Sequence, residues 1–256
     1  MMRALFTPRW IVGHLLVVAV VVGFVSLGLW QLRRLAEVRE RNALVTQRLT
    51  APPLPLETLL ARVGDDPDAL AYRRVRVRGE YLDGQLLTSP RSRDGRPGQQ
   101  VLTVLRSSGG IAVLADRGTV PYSSELAPGD VAPPAGSVEV EGVLLPPELG
   151  QPAQTEQVTR IVPEALEARV GAPLLSAPLL VRQQRPDPGS FPRLGELPAL
   201  DEGSHFSYAI QWFLFAAVTL VGYPLLLRRT LREEQEPAAS PPAALVSGSS
   251  PGRPAG

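Results

Sequence analysis

The chain has 256 residues, and its 26 basic and 25 acidic side chains leave a formal net charge of +1. This balance argues against a nucleic-acid-binding surface, which needs an excess of positive charge. Cysteine is absent, which excludes disulfides, thiolate metal sites, iron–sulfur clusters, c-type haem attachment and a cysteine nucleophile. A folded domain of this chain must therefore be held together by its apolar core.

The first apolar segment runs from Trp10 to Trp30 and carries no formal charge. A helix rises about 1.5 Å per residue, so a run of this length crosses the roughly 30 Å hydrocarbon core of a bilayer. A cleaved signal peptide is the competing interpretation. No small-residue cleavage site follows the run, however, and Gln31 and Arg33 are poor cleavage neighbours. We therefore expect an uncleaved membrane helix.

The segment between the two apolar runs predicts an α+β domain with a mainly antiparallel sheet, either barrel-like or sandwich-like. Apolar residues spaced between charges over 32–49 predict that the first helix continues as a stalk, which the prolines from Pro52 onward end. Alternating patterns predict strands over 72–81, 85–88, 101–107, 111–116, 138–145 and 179–184. Short helices are expected over 57–62 and 163–170, and a hairpin turn over Ser107–Gly110. Asp116-Arg117-Gly118, at the end of a strand, is expected to form a turn with a local ion pair.

The second apolar segment, Tyr208–Leu227, is followed by Arg228, Arg229 and Arg232. Basic residues flanking a membrane helix favour the cytoplasmic side, so both termini are expected in the cytoplasm and the intervening domain outside. Four arginines at the outer end of the first helix oppose this orientation; they are Arg33, Arg34, Arg39 and Arg41.

The predicted layout has five parts. They are a cytoplasmic N-terminus (1–9), a first transmembrane helix (10–30), an extracytoplasmic domain (31–207), a second transmembrane helix (208–227) and a cytoplasmic tail (228–256). The tail past Glu236 is rich in Pro, Ala, Ser and Gly, which predicts disorder.

Five short motifs follow one another in the chain. They are Gly28-Leu29-Trp30-Gln31-Leu32-Arg33-Arg34; Tyr72-Arg73-Arg74-Val75 with Gly79 and Tyr81; Arg117-Gly118 with Val120-Pro121; Val140-Glu141-Gly142; and His205 with Tyr208, Gln211, Trp212 and Phe213. This succession resembles the surfeit locus protein 1 family, assembly factors for the haem-copper cytochrome c oxidase. The resemblance covers about residues 10 to 230 and implies two membrane helices around an extracytoplasmic domain.

The resemblance further implies that the protein delivers or retains haem a while the catalytic subunit of the oxidase is built. His205 is the implied iron ligand, since imidazole is a suitable axial ligand and the chain offers no cysteine. The implied partners are the catalytic subunit, haem a synthase and membrane lipid. The implied location is a bacterial plasma membrane.

The residues around His205 support two interpretations. On a helical wheel His205, Tyr208, Trp212 and Phe215 fall on one side, where a flat porphyrin would pack. Alternatively, Tyr208 and Trp212 are interfacial anchors and His205 is a solvated residue above them. His14, the other histidine, lies roughly 20 Å away along antiparallel helices, so we expect a single protein ligand to one haem.

Three further sets of polar residues have structural as well as functional interpretations. Gln31 and Gln211 lie at the same membrane face, where a hydrogen bond between them would clip the helices together. His14 is a candidate for cofactor or proton chemistry, or it bonds a backbone carbonyl. The row Arg74, Arg76 and Arg78 either meets haem propionates or an acidic partner, or is the wet face of a strand.

Two other classes of protein compete with the cofactor-binding assembly factor. One is a membrane-anchored extracytoplasmic scaffold without a cofactor. The other is an extracytoplasmic hydrolase, which the sequence disfavours because the outer domain has no Cys, and no His before His205 at its membrane end, to build a nucleophile–base pair. Glu80 and Asp83 could supply acid–base chemistry, but they fall in a surface turn. We therefore expect no enzymatic turnover.

Overall fold

The computed structural model describes residues 7–93, 96–122, 131–150, 157–185, 192–197 and 199–233. The chain groups into two compact units, one formed by Val38–Asp201 and the other by Met1–Glu37 together with Glu202–Gly256. The predicted disordered tail beyond Glu236 lies outside the described residues.

Helices flank a block of strands along the described chain. In order the elements are α1 (Pro8–Thr50), β1 (Leu54–Pro55), α2 (Leu56–Val63), α3 (Pro67–Leu70), β2 (Arg74–Tyr81), β3 (Leu86–Leu87), β4 (Arg91–Arg93), β5 (Arg96–Ser107), β6 (Ala112–Pro121), β7 (Ser137–Leu144), α4 (Pro163–Val170), β8 (Leu179–Arg185) and α5 (His205–Glu233). Sequence patterns therefore predicted most of the elements, while the short β1, β4 and α3 were missed.

Helices α1 and α5 each contain an apolar stretch long enough to cross a membrane. Their large apolar side chains are open to the surroundings; Val12, Leu15 and Val218, for example, are 65%, 64% and 68% exposed. Apolar surface of this extent is unfavourable in water and favourable in lipid, so the two helices support membrane association. Helix α1 continues to Thr50, as the pattern over 32–49 predicts.

The sheet closes on itself to form a barrel-like domain. Its strand order is β1-β2-β7-β8-β6-β5-β3, β4 pairs with β5, and an additional pairing of β2 with β5 completes the ring. Strand β2 is antiparallel to β7 and to β5, and β7 is antiparallel to β8. Strand β6 is antiparallel to β5 but parallel to β8. The closed sheet with its helices is an α+β architecture.

Some strands of the barrel bury one face, and others bury both. In β2, Val75 and Val77 are fully buried while Arg76 and Arg78 point outward, which is the period-2 alternation expected of a strand. One core cluster combines these valines with residues such as Val113 and Ala115 of β6. A second cluster holds the intervening residues of β6 against α4, through Leu166. Strand β6 is thus buried on both faces.

Strand β6 continues beyond its predicted end. The sequence predicts that Asp116-Arg117-Gly118 forms a turn with a local ion pair, but β6 runs on to Pro121. Asp116 is 3% exposed and Arg117 is 2% exposed, so the turn prediction is wrong. Asp116 pairs with β5 on one side and β8 on the other, and pairing with β5 resumes at Thr119 after a register shift. The strand therefore continues through Arg117 and Gly118, because ladder hydrogen bonds and burial outweigh local turn preference.

Candidate functional site

His205 begins α5, directly after a turn at Gly203. Its Nδ1 lies 2.8 Å from Oε1 of Gln31 on α1, and both side chains are half-buried. Among the described residues Nε2 of His205 has no hydrogen-bond partner. A Cβ placed on Gly203 would lie 3.5 Å from that nitrogen, so the glycine keeps this edge of the ring unobstructed.

The partner of Gln31 differs from the predicted one. The sequence predicts a bond between Gln31 and Gln211, but Gln31 pairs with His205. The Gln211 side chain is exposed and has no hydrogen bond within the described part of the chain. The rotation of α5 decides this choice, since His205 and Gln211 are six positions apart and cannot both face Gln31.

Aromatic rings join the two helices below His205. Phe24 of α1 stacks on Trp212 with 5.8 Å between ring centroids, and lies 5.6 Å from Phe215. Trp212 and Phe215 also meet edge to face at 5.9 Å. Tyr208, one turn after His205, is 49% exposed. The predicted contact of Tyr208 and Trp212 with a cofactor stays a prediction.

His14 takes part in a second polar contact between α1 and α5. Its Nδ1 lies 2.6 Å from the hydroxyl of Tyr223, and its ring stacks on Trp10 at 6.2 Å. The Tyr223 hydroxyl was not predicted as a partner of His14, and a bond between His14 and a backbone carbonyl stays a prediction. A hydrogen bond between side chains within an apolar segment stabilises helix pairing.

The arginine row of β2 is matched by glutamates of β7. Arg74 lies 2.5 Å from Glu141, and Arg78 lies 2.8 Å from Glu139. Arg76 lies between these glutamates, at 3.6 Å from Glu139 and 3.8 Å from Glu141. Hydrogen bonding from Arg78, then the charges of nearby arginines, lowers the pKa of Glu139. These cross-strand pairs favour the interpretation of the row as a solvated strand face.

A buried polar group beside the barrel core was not predicted from the sequence. The Tyr81 hydroxyl donates to Oε1 of Gln184 at 2.8 Å, and the Arg117 guanidinium lies 5.3 Å from the Tyr81 ring centroid. Arg117 donates to the backbone oxygens of Val131 and Ala132 at 2.7 and 3.2 Å. Burial raises the pKa of Tyr81 to about 12, with Arg117 opposing; burial likewise lowers the pKa of Arg117.

The observed features define a class of protein. The fold combines two apolar helices with a closed, sheet-rich domain. The helical unit carries one imidazole whose second ring nitrogen has no partner among the described residues. The protein is therefore a membrane-associated α+β protein with a candidate imidazole ligand site.

Comparison with known proteins identifies the family. A model of the SURF1 family matches residues 18–217. An uncharacterized SURF1-like protein of Mycobacterium bovis is 31% identical over 253 residues, covering 93% of this chain and 91% of the relative; one of Mycobacterium tuberculosis has the same values. A SURF1-like protein of Monosiga brevicollis is 30% identical over 228 residues, covering 80% and 83%. The chain belongs to the SURF1 family, whose members are generally cytochrome oxidase assembly factors.

Proposed function

We propose that the protein binds haem a through His205 and holds it for the catalytic subunit of cytochrome c oxidase during assembly. The observation that carries the proposal is the Nε2 atom of His205, which has no partner among the described residues while Nδ1 is engaged by Gln31. A neutral imidazole held by its second nitrogen is the usual form of a histidine that binds a metal.

The surroundings of His205 fit a porphyrin. Tyr208 and Phe215 are 49% and 42% exposed, so aromatic surface is open on the same helix as the imidazole. The chain has no cysteine, which leaves imidazole as the axial ligand expected at this position. Bound haem a would supply a redox-active iron in an apolar macrocycle, while the protein residues hold and orient it without turnover.

The membrane orientation is part of the proposal. Arg228 and Arg229, which end the apolar stretch of α5, favour the cytoplasmic side. Both termini then face the cytoplasm of a bacterial cell, and His205 and the barrel-like domain face outward, where the oxidase subunit and haem a synthase would be met. A reporter enzyme fused at residue 120 should be active outside. Activity only in the cytosol would refute this orientation.

The decisive experiment is spectroscopy of the purified full-length protein from cells that make haem a. The wild type and a His14→Ala control should carry the pigment, because His14 pairs with Tyr223 instead of facing the proposed site. A His205→Ala variant should lose it. Retention of the pigment by that variant, with unchanged absorption, would refute ligation by His205.

A scaffold without a cofactor is the second candidate, and one observation favours it. Trp212 stacks on Phe24 and His205 bonds Gln31. Each of these contacts joins α1 to α5 without any ligand. Deletion of the protein distinguishes the two functions. Loss of haem a from membrane-bound oxidase supports the haem role, whereas unchanged haem a content in assembled oxidase supports the scaffold.

A further inference from the structure

The hydrogen bond between Gln31 and His205 runs from the imidazole to the amide oxygen. The Gln31 atom facing the ring is Oε1, 2.8 Å from Nδ1, and an amide oxygen accepts hydrogen bonds but cannot donate them. Nδ1 of the neutral imidazole therefore carries the proton. Its other nitrogen, Nε2, is left with the lone pair that a metal ion needs.

The bond also fixes the orientation of the ring. Gln31 belongs to α1 and His205 to the first turn of α5, so the imidazole is attached to both helices of one compact unit. Close packing continues just below, where Gly28 is buried against Phe213. The position of Gln31 relative to His205 is thus set by helix pairing. Side-chain rotation alone does not set it.

Building on the proposed haem-binding function, we propose that Gln31 is a positioning residue that selects Nε2 of His205 as the iron-binding atom. By accepting a hydrogen bond from the Nδ1–H group, Gln31 holds one tautomer and makes the ring a stronger electron donor. It acts only while α1 and α5 are paired, so pairing of the helices prepares the ligand. The ligand class is a metalloporphyrin that takes one neutral imidazole.

The chain provides a matched control for this residue. Gln211 lies on α5, six residues after His205, but its side chain is exposed and makes no hydrogen bond within the described residues. Gln211→Leu makes the same chemical change as Gln31→Leu, the loss of one side-chain amide, but it leaves the hydrogen bond to the imidazole intact. Gln31→Glu is the conservative variant, because its carboxylate keeps an acceptor at the same distance from Nδ1.

The first measurement needs no haem. The full-length protein labelled with nitrogen-15 histidine contains only two imidazoles, and His14→Phe assigns them. At alkaline pH, where imidazole is neutral, the wild type and Gln211→Leu should show His205 protonated at Nδ1. Gln31→Leu should shift His205 toward the Nε2-protonated form, which is the common tautomer of an unconstrained imidazole, and Gln31→Glu should restore the Nδ1 proton.

The second measurement uses haem a added to the same variants in lipid nanodiscs. Loss of the residue that hydrogen-bonds a metal-binding histidine typically weakens metal binding about 10- to 100-fold, and Gln31→Leu should weaken haem binding by that factor. Gln211→Leu should bind as the wild type does. Gln31→Glu should raise the iron–imidazole stretching frequency and lower the midpoint potential, since a stronger acceptor makes the imidazole a better donor and favours ferric iron.

The outcomes separate this inference from the proposed function. If Gln31→Leu leaves the His205 tautomer unchanged, the positioning role is refuted, whatever the protein does with haem. If the tautomer changes but binding, stretching frequency and potential match those of Gln211→Leu, the role toward iron is refuted while His205 ligation stands. If His205→Ala binds haem as tightly as the wild type, the proposed function fails and the role of Gln31 toward iron fails with it.

Discussion

Tyr81 provides a quantitative test of the barrel interior through the alkaline pH dependence of stability. Its hydroxyl donates to Gln184 at 2.8 Å, and burial is the main cause that raises its pKa from 10.0 to about 12. Cysteine and lysine, whose ordinary pKa values fall in or near the alkaline range, are absent from the chain.

The sign and size of the effect follow from proton linkage. Below pH 10 Tyr81 is neutral in both the folded and unfolded states, so its contribution to stability is fully present. Between pH 10 and 12 the unfolded state loses the proton first, so the free energy of unfolding falls as pH rises. A pKa shift from 10.0 to about 12, at about 1.4 kcal/mol per unit, predicts a total loss of about 3 kcal/mol.

The assay is urea unfolding of the full-length protein in detergent at a series of pH values from 9 to about 12, read by near-ultraviolet circular dichroism. Tyr81→Phe should remove most of the decline in unfolding free energy. Tyr122→Phe is the matched control, since Tyr122 is 56% exposed, and it should keep the wild-type slope. Equal slopes for the two variants would refute the argument that Tyr81 is buried in its neutral form.

Two substitutions of glycine test the helical unit. Gly28→Ala should weaken the pairing of α1 with α5 by about 1–3 kcal/mol, because its Cβ would lie 2.7 Å from the Phe213 ring; cross-linking of cysteines introduced on the two helices should fall, and undiminished cross-linking would contradict this contact. Gly203→Ala should weaken haem a binding without altering His205, since its Cβ would lie 3.5 Å from Nε2. Gly64→Ala is the matched control, because Gly64 has a φ of +70°, close to the +69° of Gly203, and a Cβ there would meet nothing within 4 Å. Equal haem a binding by the two alanine variants would show that crowding at Nε2 is unimportant.

Much of the fold could be predicted from local sequence patterns. The long apolar run that begins at Trp10 predicts a membrane-length helix, and the alternation of Val75 and Val77 with arginines predicts a strand. Both patterns are visible in a short stretch of sequence. The hairpin at Ser107–Gly110 was likewise predicted. Gly110 has φ +84° and its N–H donates to the Ser107 oxygen at 2.9 Å, which is the left-handed conformation that glycine favours.

The contacts of polar side chains could not be predicted in this way. Asp116 and Arg117 look like turn residues, but both are buried within β6, and Asp116 pairs with β5 and with β8. The glutamate partners of the arginine row lie more than 60 positions away on β7. Such partners depend on strand register, which arises only when the sheet closes.

The sequence by itself determined the two membrane-length helices, the strand-rich domain between them and the placement of His205 at the start of α5, because hydrophobic periodicity and segment length are local properties. Tertiary structure alone decided that Gln31 pairs with the imidazole of His205 and not with Gln211. That choice depends on how α1 and α5 are rotated and shifted against each other. Residues along both helices set this packing, so no short segment of the sequence determines the partner of Gln31.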